Sequence, residues 1–252
     1  TLSLHDALPI WCTVMSEVLA QYSALMVMEK FKDKEEVKRF LRHEQDQYLT
    51  GRSMEQHYES PIIFVRPSQG YIHYGKGAVV MYALKEYIGE DRVNNALKRY
   101  IDDYSFQEPP YTTSLEFIEY LKEATPDSMQ TIIHDWFERI IIYDNKIAEA
   151  KSEALDSNKY QINLELECRK FQSDSLGNET EIAPNDWIQI ALYTKDQHDE
   201  DSLTYLNLHR IDDSNIKLQI QSDEKPEKVT IDPYYLLIDR HKDDNTKYLS
   251  IE

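Results

Sequence analysis

The hydrophobic period of this chain changes once, and that change limits the fold more than any other feature. Before about residue 143, apolar side chains recur at the spacing of amphipathic helices. The last such stripe is Met129, Ile132, Ile133, Trp136 and Ile140. From Tyr160 to Arg169 apolar and polar residues alternate, which is the period of a half-buried strand. The sequence therefore predicts an α+β chain in two parts, a helical bundle followed by an antiparallel β-sandwich.

Shorter runs of the second kind follow, separated by turn-like segments, and they support the sandwich. These predicted strands are Trp187 to Tyr193, Leu203 to Leu208, Ile216 to Ile220 and Val229 to Ile231. We predict the two domains as residues 11–145 and 146–252. The first ten residues, TLSLHDALPI, have neither an initiator Met nor a signal-peptide core. One frame of a widely used sequencing-adapter oligonucleotide encodes this decapeptide, so we interpret residues 1–10 as a non-native extension.

Charge and cysteine content exclude several classes of protein. The chain has 46 acidic and 28 basic residues and a formal net charge of -18. A chain this acidic repels phosphate backbones and anionic lipid surfaces, so we expect no nucleic-acid binding and no membrane contact from this segment. The two cysteines, Cys12 and Cys168, do not form a disulfide framework or a metal-binding pattern. No apolar run approaches the ~18 residues that cross a bilayer, so we expect a soluble segment.

Two features of the helical part need separate interpretation. Lys34 to Tyr48 is predicted as an amphipathic helix that Gly51 ends. His43 begins a sequence that resembles a zinc-binding HExxH motif, but it continues as HEQDQ. Two histidines at positions i and i+4 are needed to place two imidazoles on one metal, so His43 is predicted to lie on the surface. His134 lies among apolar residues and is predicted to be structural.

The stretch from Tyr71 to Tyr87, YIHYGKGAVVMYALKEY, is predicted to begin as a turn and to continue as a helix. A tyrosine at such a junction, Tyr74, is held by its backbone and can direct its phenol into a cleft. The alternative is a tyrosine that only caps a buried helix. His73 beside it is a candidate for contact with a substrate. The spacing of the glycines around Lys76 does not match a phosphate-binding loop, and no strand precedes it.

Two segments together resemble the zinc aminopeptidases of the gluzincin type, the membrane alanyl aminopeptidase family. Tyr74-Gly75-Lys76-Gly77 matches the family's Tyr-x-Lys-Gly motif completely. Ser16-Glu17-Val18-Leu19-Ala20 corresponds to its Asn-Glu-Gly-x-Ala motif, with Ser in place of Asn and Val in place of Gly. The segments LAQYSALMVMEK and YIHYGKG are most similar to those of a bacterial subgroup in which the peptidase domain follows a membrane permease-like region.

The resemblance implies specific roles. In the family, zinc held by two His and one Glu activates a water molecule, and a tyrosine phenol stabilises the oxyanion. Glu17 is then the third zinc ligand and Tyr74 the catalytic phenol. By the family's spacing, the His-Glu-x-x-His motif, which also supplies the general base, falls before residue 1, and the substrate-amine loop is absent as well. We therefore expect a C-terminal fragment of a peptide-cleaving zinc aminopeptidase that is inactive alone and binds zinc poorly.

A non-catalytic alternative remains open at this point. The helical bundle and the sandwich could form a partner-binding or scaffolding module of a bacterial membrane transporter assembly, with a decayed peptidase site. An intact His-Glu-x-x-His motif upstream of Glu17 in the full coding sequence favours the enzyme, and its loss favours the scaffold. In either case the resemblance implies a parent protein associated with the bacterial inner membrane. Substrate preference and oligomeric state do not follow from the sequence.

Overall fold

The computed structural model describes residues 13–155 and 159–251, and it has an α+β fold, a helical part followed by a β-sandwich-like region. The decapeptide at residues 1–10 lies outside the described residues. Two compact units are present. The first, unit 1, contains the described residues up to Ile141 together with Gln172–Glu179 and Leu236–Ile238. The second, unit 2, contains Ile142–Phe171, Thr180–Tyr235 and the described residues from Asp239 onward.

Unit 1 is built from α-helices interrupted by π-helical segments. The α-helices are α1 (Leu19–Phe31), α2 (Lys34–Met54), α3 (Gly77–Ile88), α4 (Glu90–Tyr104), α5 (Ser114–Ala124) and α6 (Gln130–Ile133). The π-helical segments are π1 (Val14–Val18), π2 (Tyr71–Lys76) and π3 (His134–Glu138). Short 3₁₀ turns cover Ile62–Phe64 and Asp127–Met129. No helix in the described ranges is long and apolar enough to span a membrane.

Helix α3 forms the centre of unit 1. Eleven of its residues are buried, on every face of the helix, which is the pattern of an element surrounded by other helices. Its one basic residue near the C-terminus, Lys85, is also buried and forms ion pairs with Glu29 at 2.5 Å and Glu86 at 2.6 Å. The helix ends at Ile88, and the φ of 96° at the next residue, Gly89, is a conformation that glycine adopts without steric cost.

Three sequence predictions about the helical part are wrong. Gly51 does not end a helix but lies inside α2, where a Cβ would come 2.3 Å from the Cβ of Tyr71, so the residue is needed for close packing. Tyr71 does not begin a turn, because π2 is helical from that residue. The last helical stripe does not extend to Ile140, because π3 ends at Glu138 and the first strand begins at Ile140.

Two sheets form the sandwich-like region. Their strands are β1 (Ile140–Leu155), β2 (Lys159–Ser173), β3 (Glu179–Ile182), β4 (Asp186–Lys195), β5 (Asp201–Ile211), β6 (Asn215–Ser222), β7 (Lys228–Ile231), β8 (Thr246–Tyr248) and β9 (Ser250–Ile251). One sheet has the order β3-β2-β1-β9 with β6 also paired to β2, and the other has the order β5-β4-β7-β8. Pairs β2–β6, β4–β5, β4–β7 and β7–β8 are antiparallel, whereas the two-residue β9 runs parallel to β1.

The five strands predicted from alternation are confirmed. Ile162, Leu164, Leu166 and Cys168 of β2 are all buried, whereas the residues between them are half-buried. Strand β6 pairs with β2 in a register that places Ile220 opposite Ile162 and Leu218 opposite Leu164. Apolar residues therefore meet across strands on one face, and this fixes the register.

Candidate functional site

The two motif residues lie on two of the π-helical segments, and glycines allow these segments to pack closely. Glu17 is in π1 and Tyr74 is in π2. A Cβ on Gly77 would come 2.7 Å from a methyl carbon of Val18, the residue after Glu17. A Cβ on Gly75 would come 2.9 Å from the carbonyl oxygen of Glu44 in α2. The absence of a Cβ at these two positions lets the start of α3 approach π1 and lets π2 approach α2.

This packing brings Glu17 and Tyr74 together, as the sequence analysis expected. The Tyr74 hydroxyl donates a hydrogen bond to Oε2 of Glu17 over 2.7 Å, although 57 residues separate the two in sequence. Tyr74 is 41% exposed. In the run from Ile72 to Lys85, every residue except Tyr74 is buried. The phenol is therefore the one group through which this otherwise buried run reaches solvent.

The hydrogen bond between the two residues favours the protonated form of the Tyr74 phenol, which is the form that donates. The hydrogen bond to the Glu17 carboxylate raises the pKa of the Tyr74 phenol above its ordinary value, because ionising the phenol would remove the donated proton and set two negative charges together. At neutral pH the phenol is therefore protonated. It can donate to an acceptor that carries negative charge, and here that acceptor is Glu17.

The histidines from the sequence analysis occupy different environments. His73 is 3% exposed, so its side chain is buried and not available at the surface as a candidate for substrate contact would be. His43 is exposed, as predicted. His134, predicted to be structural among the apolar residues of its helix, is not packed with them, because it is exposed and its Nδ1 lies 2.5 Å from Oε2 of Glu138 on the surface of π3. Helical periodicity did not give its direction, because π3 does not follow the α-helical period.

A buried polar cluster lies next to π2 in unit 1. The Tyr48 hydroxyl donates to Oε1 of Glu59, and Arg52 donates to the second carboxylate oxygen of Glu59 over 2.8 Å. Lys76 is 2% exposed, and its Nζ donates to the carbonyl oxygen of Arg139 over 3.1 Å and lies 5.7 Å from the centre of the Tyr48 ring. Burial lowers the pKa of Lys76 to about 8. No sequence signal pointed to Glu59 or Arg52, since their partners lie on other segments.

The described residues do not make a zinc site by themselves. Structural and catalytic zinc ions take three or four protein ligands, usually His, Cys, Asp or Glu. Within residues 13–155 and 159–251, no group of three or more such side chains is placed to hold a metal ion. Glu17 supplies one carboxylate, and its Oε2 is already bonded to Tyr74.

Comparison with known protein families gives a clear result for the helical part. The model of the peptidase family M1 domain matches residues 10–136, just over half of the chain and including both motif residues. The chain belongs to the M1 peptidase family.

Individual proteins give weaker similarities than the family does. No curated protein matches the chain. A crystal structure of Legionella pneumophila aminopeptidase A in complex with aspartic acid is similar, with a TM-score of 0.48 and 13% sequence identity. The similarity covers 98% of this chain and 26% of that one, so this chain spans about a quarter of the length of that structure.

Proposed function

We propose that this chain is part of a zinc aminopeptidase that removes N-terminal residues from peptides. The observation that carries the proposal is the 2.7 Å hydrogen bond between Tyr74 and Glu17. These are the two residues that match the family's catalytic-tyrosine and glutamate-ligand motifs, and the family match covers both. A tyrosine that only capped a buried helix would have no reason to meet the other motif residue at the surface.

In this proposal Tyr74 is the catalytic phenol. Attack on a peptide carbonyl places negative charge on the carbonyl oxygen, and a fixed donor aimed at that charge lowers the barrier. The Tyr74 proton donated to Glu17 in the structure is the one that would be offered to the developing oxyanion. Because the phenol stays protonated at neutral pH, no separate proton transfer is needed to prepare it.

Glu17 is proposed as one ligand of the zinc ion. The remaining ligands and the general base are proposed to come from a His-Glu-x-x-His segment that precedes this chain in the parent. Zinc would supply electrostatic activation of water and carbonyl when bound. The chain alone is then proposed to be inactive and to have little zinc affinity, since one carboxylate is a poor site for an ion that takes about four ligands.

Sequence similarity also carries a proposal about the parent protein. The segments LAQYSALMVMEK and YIHYGKG support the bacterial subgroup whose peptidase part follows a permease-like region, and hence a parent at the bacterial inner membrane. We also propose residues 11–145 as the helical part of the catalytic domain and 146–252 as the sandwich domain. The proposed partner of the parent is a peptide substrate, with no nucleic acid and no membrane contact from this segment.

Metal content in the full-length parent tests the proposal. Purified wild-type parent is expected to contain about one zinc ion per chain and to cleave an aminoacyl reporter. Glu17→Gln removes a charged ligand and should lower zinc affinity and activity by at least about 10-fold. The matched control is Glu35→Gln, an exposed glutamate at the start of α2, which should change neither.

Three outcomes would contradict the proposal. They are a parent that lacks both zinc and peptidase activity, a Glu17→Gln variant with full zinc content and activity, and stoichiometric sub-micromolar zinc binding by this chain alone. The first outcome would favour the alternative, a partner-binding or scaffolding module of a membrane transporter assembly.

A further inference from the structure

His73 is buried in a way that simple packing does not explain. It is 3% exposed, and its Nε2 lies 3.4 Å from the carbonyl oxygen of Pro67. Its other ring nitrogen, Nδ1, is buried without a hydrogen-bond partner among the described residues. A buried polar atom without a partner costs free energy, and an apolar ring would fill the same space without that cost.

The contact of Nε2 with the carbonyl oxygen of Pro67 sets the tautomer of the imidazole. A carbonyl oxygen only accepts hydrogen bonds, so Nε2 must carry the proton and Nδ1 the lone pair. Burial lowers the pKa of His73, which favours this neutral form. The ring then contacts Tyr74 edge to face, with ring centroids 4.2 Å apart and an interplanar angle of 64°. One end of the imidazole is thus held by backbone and its body lies against the phenol ring.

Tyr74 lies at a surface position, with 41% of the residue exposed. Its hydroxyl must be directed to a defined point to be useful as a donor. We propose that His73 is a positioning residue for Tyr74, holding the phenol ring at the angle that places its hydroxyl against Glu17. His73 acts through Tyr74 and does not touch the substrate. The inference rests on the proposed function and adds a residue to it.

A double-mutant cycle in the full-length parent tests this role. His73→Ala removes the ring contact and the hydrogen bond to Pro67, and His73→Phe keeps a ring in the same place but loses that bond. Each variant is made alone and together with Tyr74→Phe, and kcat, KM and the melting temperature are measured. If His73 acts only through the Tyr74 hydroxyl, its effect must disappear once that hydroxyl is absent.

We expect His73→Ala to lower kcat by roughly 10- to 100-fold, since a displacement of about 1 Å can cost about 10²-fold. His73→Phe should lose less than His73→Ala, and KM should stay nearly constant in both. In the Tyr74→Phe background, either change at His73 should alter kcat by less than about 2-fold. His73→Phe nearly preserves the volume of the side chain, so it carries the test if His73→Ala does not fold.

The inference is overturned if His73→Ala and His73→Phe each lower kcat by the same factor with and without the Tyr74 hydroxyl. It is also overturned if both variants lower only the melting temperature. These results differ from those expected if the proposed function itself is wrong. If the proposed function is wrong, Tyr74→Phe alone leaves kcat unchanged, whatever residue stands at position 73.

Discussion

Two tyrosine–glutamate pairs of unit 1, in each of which the tyrosine hydroxyl donates to the carboxylate, lie in opposite environments. Tyr74 and Glu17 form the exposed pair, and Tyr48 and Glu59 form the buried one. Tyr48 is 0% exposed, and Glu59 is 3% exposed and is held on its other oxygen by Arg52. Both tyrosines have a raised pKa, but burial is the main cause for Tyr48 and the hydrogen bond to Glu17 is the main cause for Tyr74.

The comparison shows that the hydrogen bond itself does not mark a functional residue. The buried pair is enclosed and its members cannot exchange partners without losing hydrogen bonds that solvent does not replace. The exposed pair can exchange partners, because water or a ligand can replace either member. We therefore expect changes in the buried pair to affect stability, and changes in the exposed pair to affect function.

The largest expected difference is in the free energy of unfolding when each of the two glutamates is replaced by glutamine. Glu59→Gln leaves the Arg52 guanidinium with one charged partner fewer in a buried site and should lower the free energy of unfolding by about 3 kcal/mol. Glu17→Gln should change it by less than about 0.5 kcal/mol, since its carboxylate is not enclosed. Urea denaturation of this chain measures both. Equal losses for the two variants would mean that the comparison is wrong.

Substitution of a glycine in π2 tests the close packing of π2 against α2. Gly75→Ala places a methyl group 2.9 Å from the Glu44 carbonyl oxygen and should lower the free energy of unfolding by about 1–3 kcal/mol, because the backbone of α2 cannot yield. Gly70→Ala is the matched control in the same segment, since its Cβ would find its nearest neighbour at 3.8 Å. A change of less than about 0.5 kcal/mol is expected there. Two equally stable variants would refute the close approach of π2 to α2.

The smallest expected effect is on the pH dependence of stability, and it comes from Lys76 beside the buried pair. Its pKa is lowered to about 8 in the folded state from 10.5, so between these values the unfolded state binds more protons and stability rises with pH. From about pH 7 to about pH 9 the wild type should gain roughly 1 kcal/mol relative to Lys76→Met, which cannot titrate there. Denaturation curves at both pH values measure the difference. An identical pH response in the two proteins would show that the lysine is not desolvated.

Much of the architecture could be predicted because it depends on local pattern. Alternation in β2 gives the strand and its buried face, and the apolar run after Gly77 gives a buried helix. The meeting of Glu17 and Tyr74 was expected only because the two motifs resemble those of one family. Nothing in their local sequences encodes the approach of Gly77 to Val18 that brings them together.

Distant contacts override local preference at two places where the prediction from the sequence fails. Gly51 resembles a helix stop, but the side chain of Tyr71 lies against it and the helix continues. Strand β1 was missed because IIIYDNKIAEAKSEAL is rich in Ala, Glu and Lys, which favour helices, whereas the sheet imposes the strand. The π-helical segments could not be predicted either, because one extra residue per turn leaves no signal in a hydrophobic period.

We propose Tyr74 as a catalytic donor and Tyr48 as a structural one. Measuring kcat and melting temperature in the full-length parent for Tyr74→Phe and Tyr48→Phe tests these two roles most directly. Tyr111→Phe, another exposed tyrosine of unit 1, is the control. We predict that Tyr74→Phe lowers kcat about 10²–10³-fold with little change in KM or melting temperature.

Tyr48→Phe should show the opposite pattern. It leaves the buried Glu59 without one donor, which should lower the free energy of unfolding by about 1–3 kcal/mol and leave kcat of the folded protein nearly intact. Tyr111→Phe should change neither quantity. An unchanged kcat for Tyr74→Phe together with a lowered melting temperature would show that Tyr74 is structural and would contradict the account.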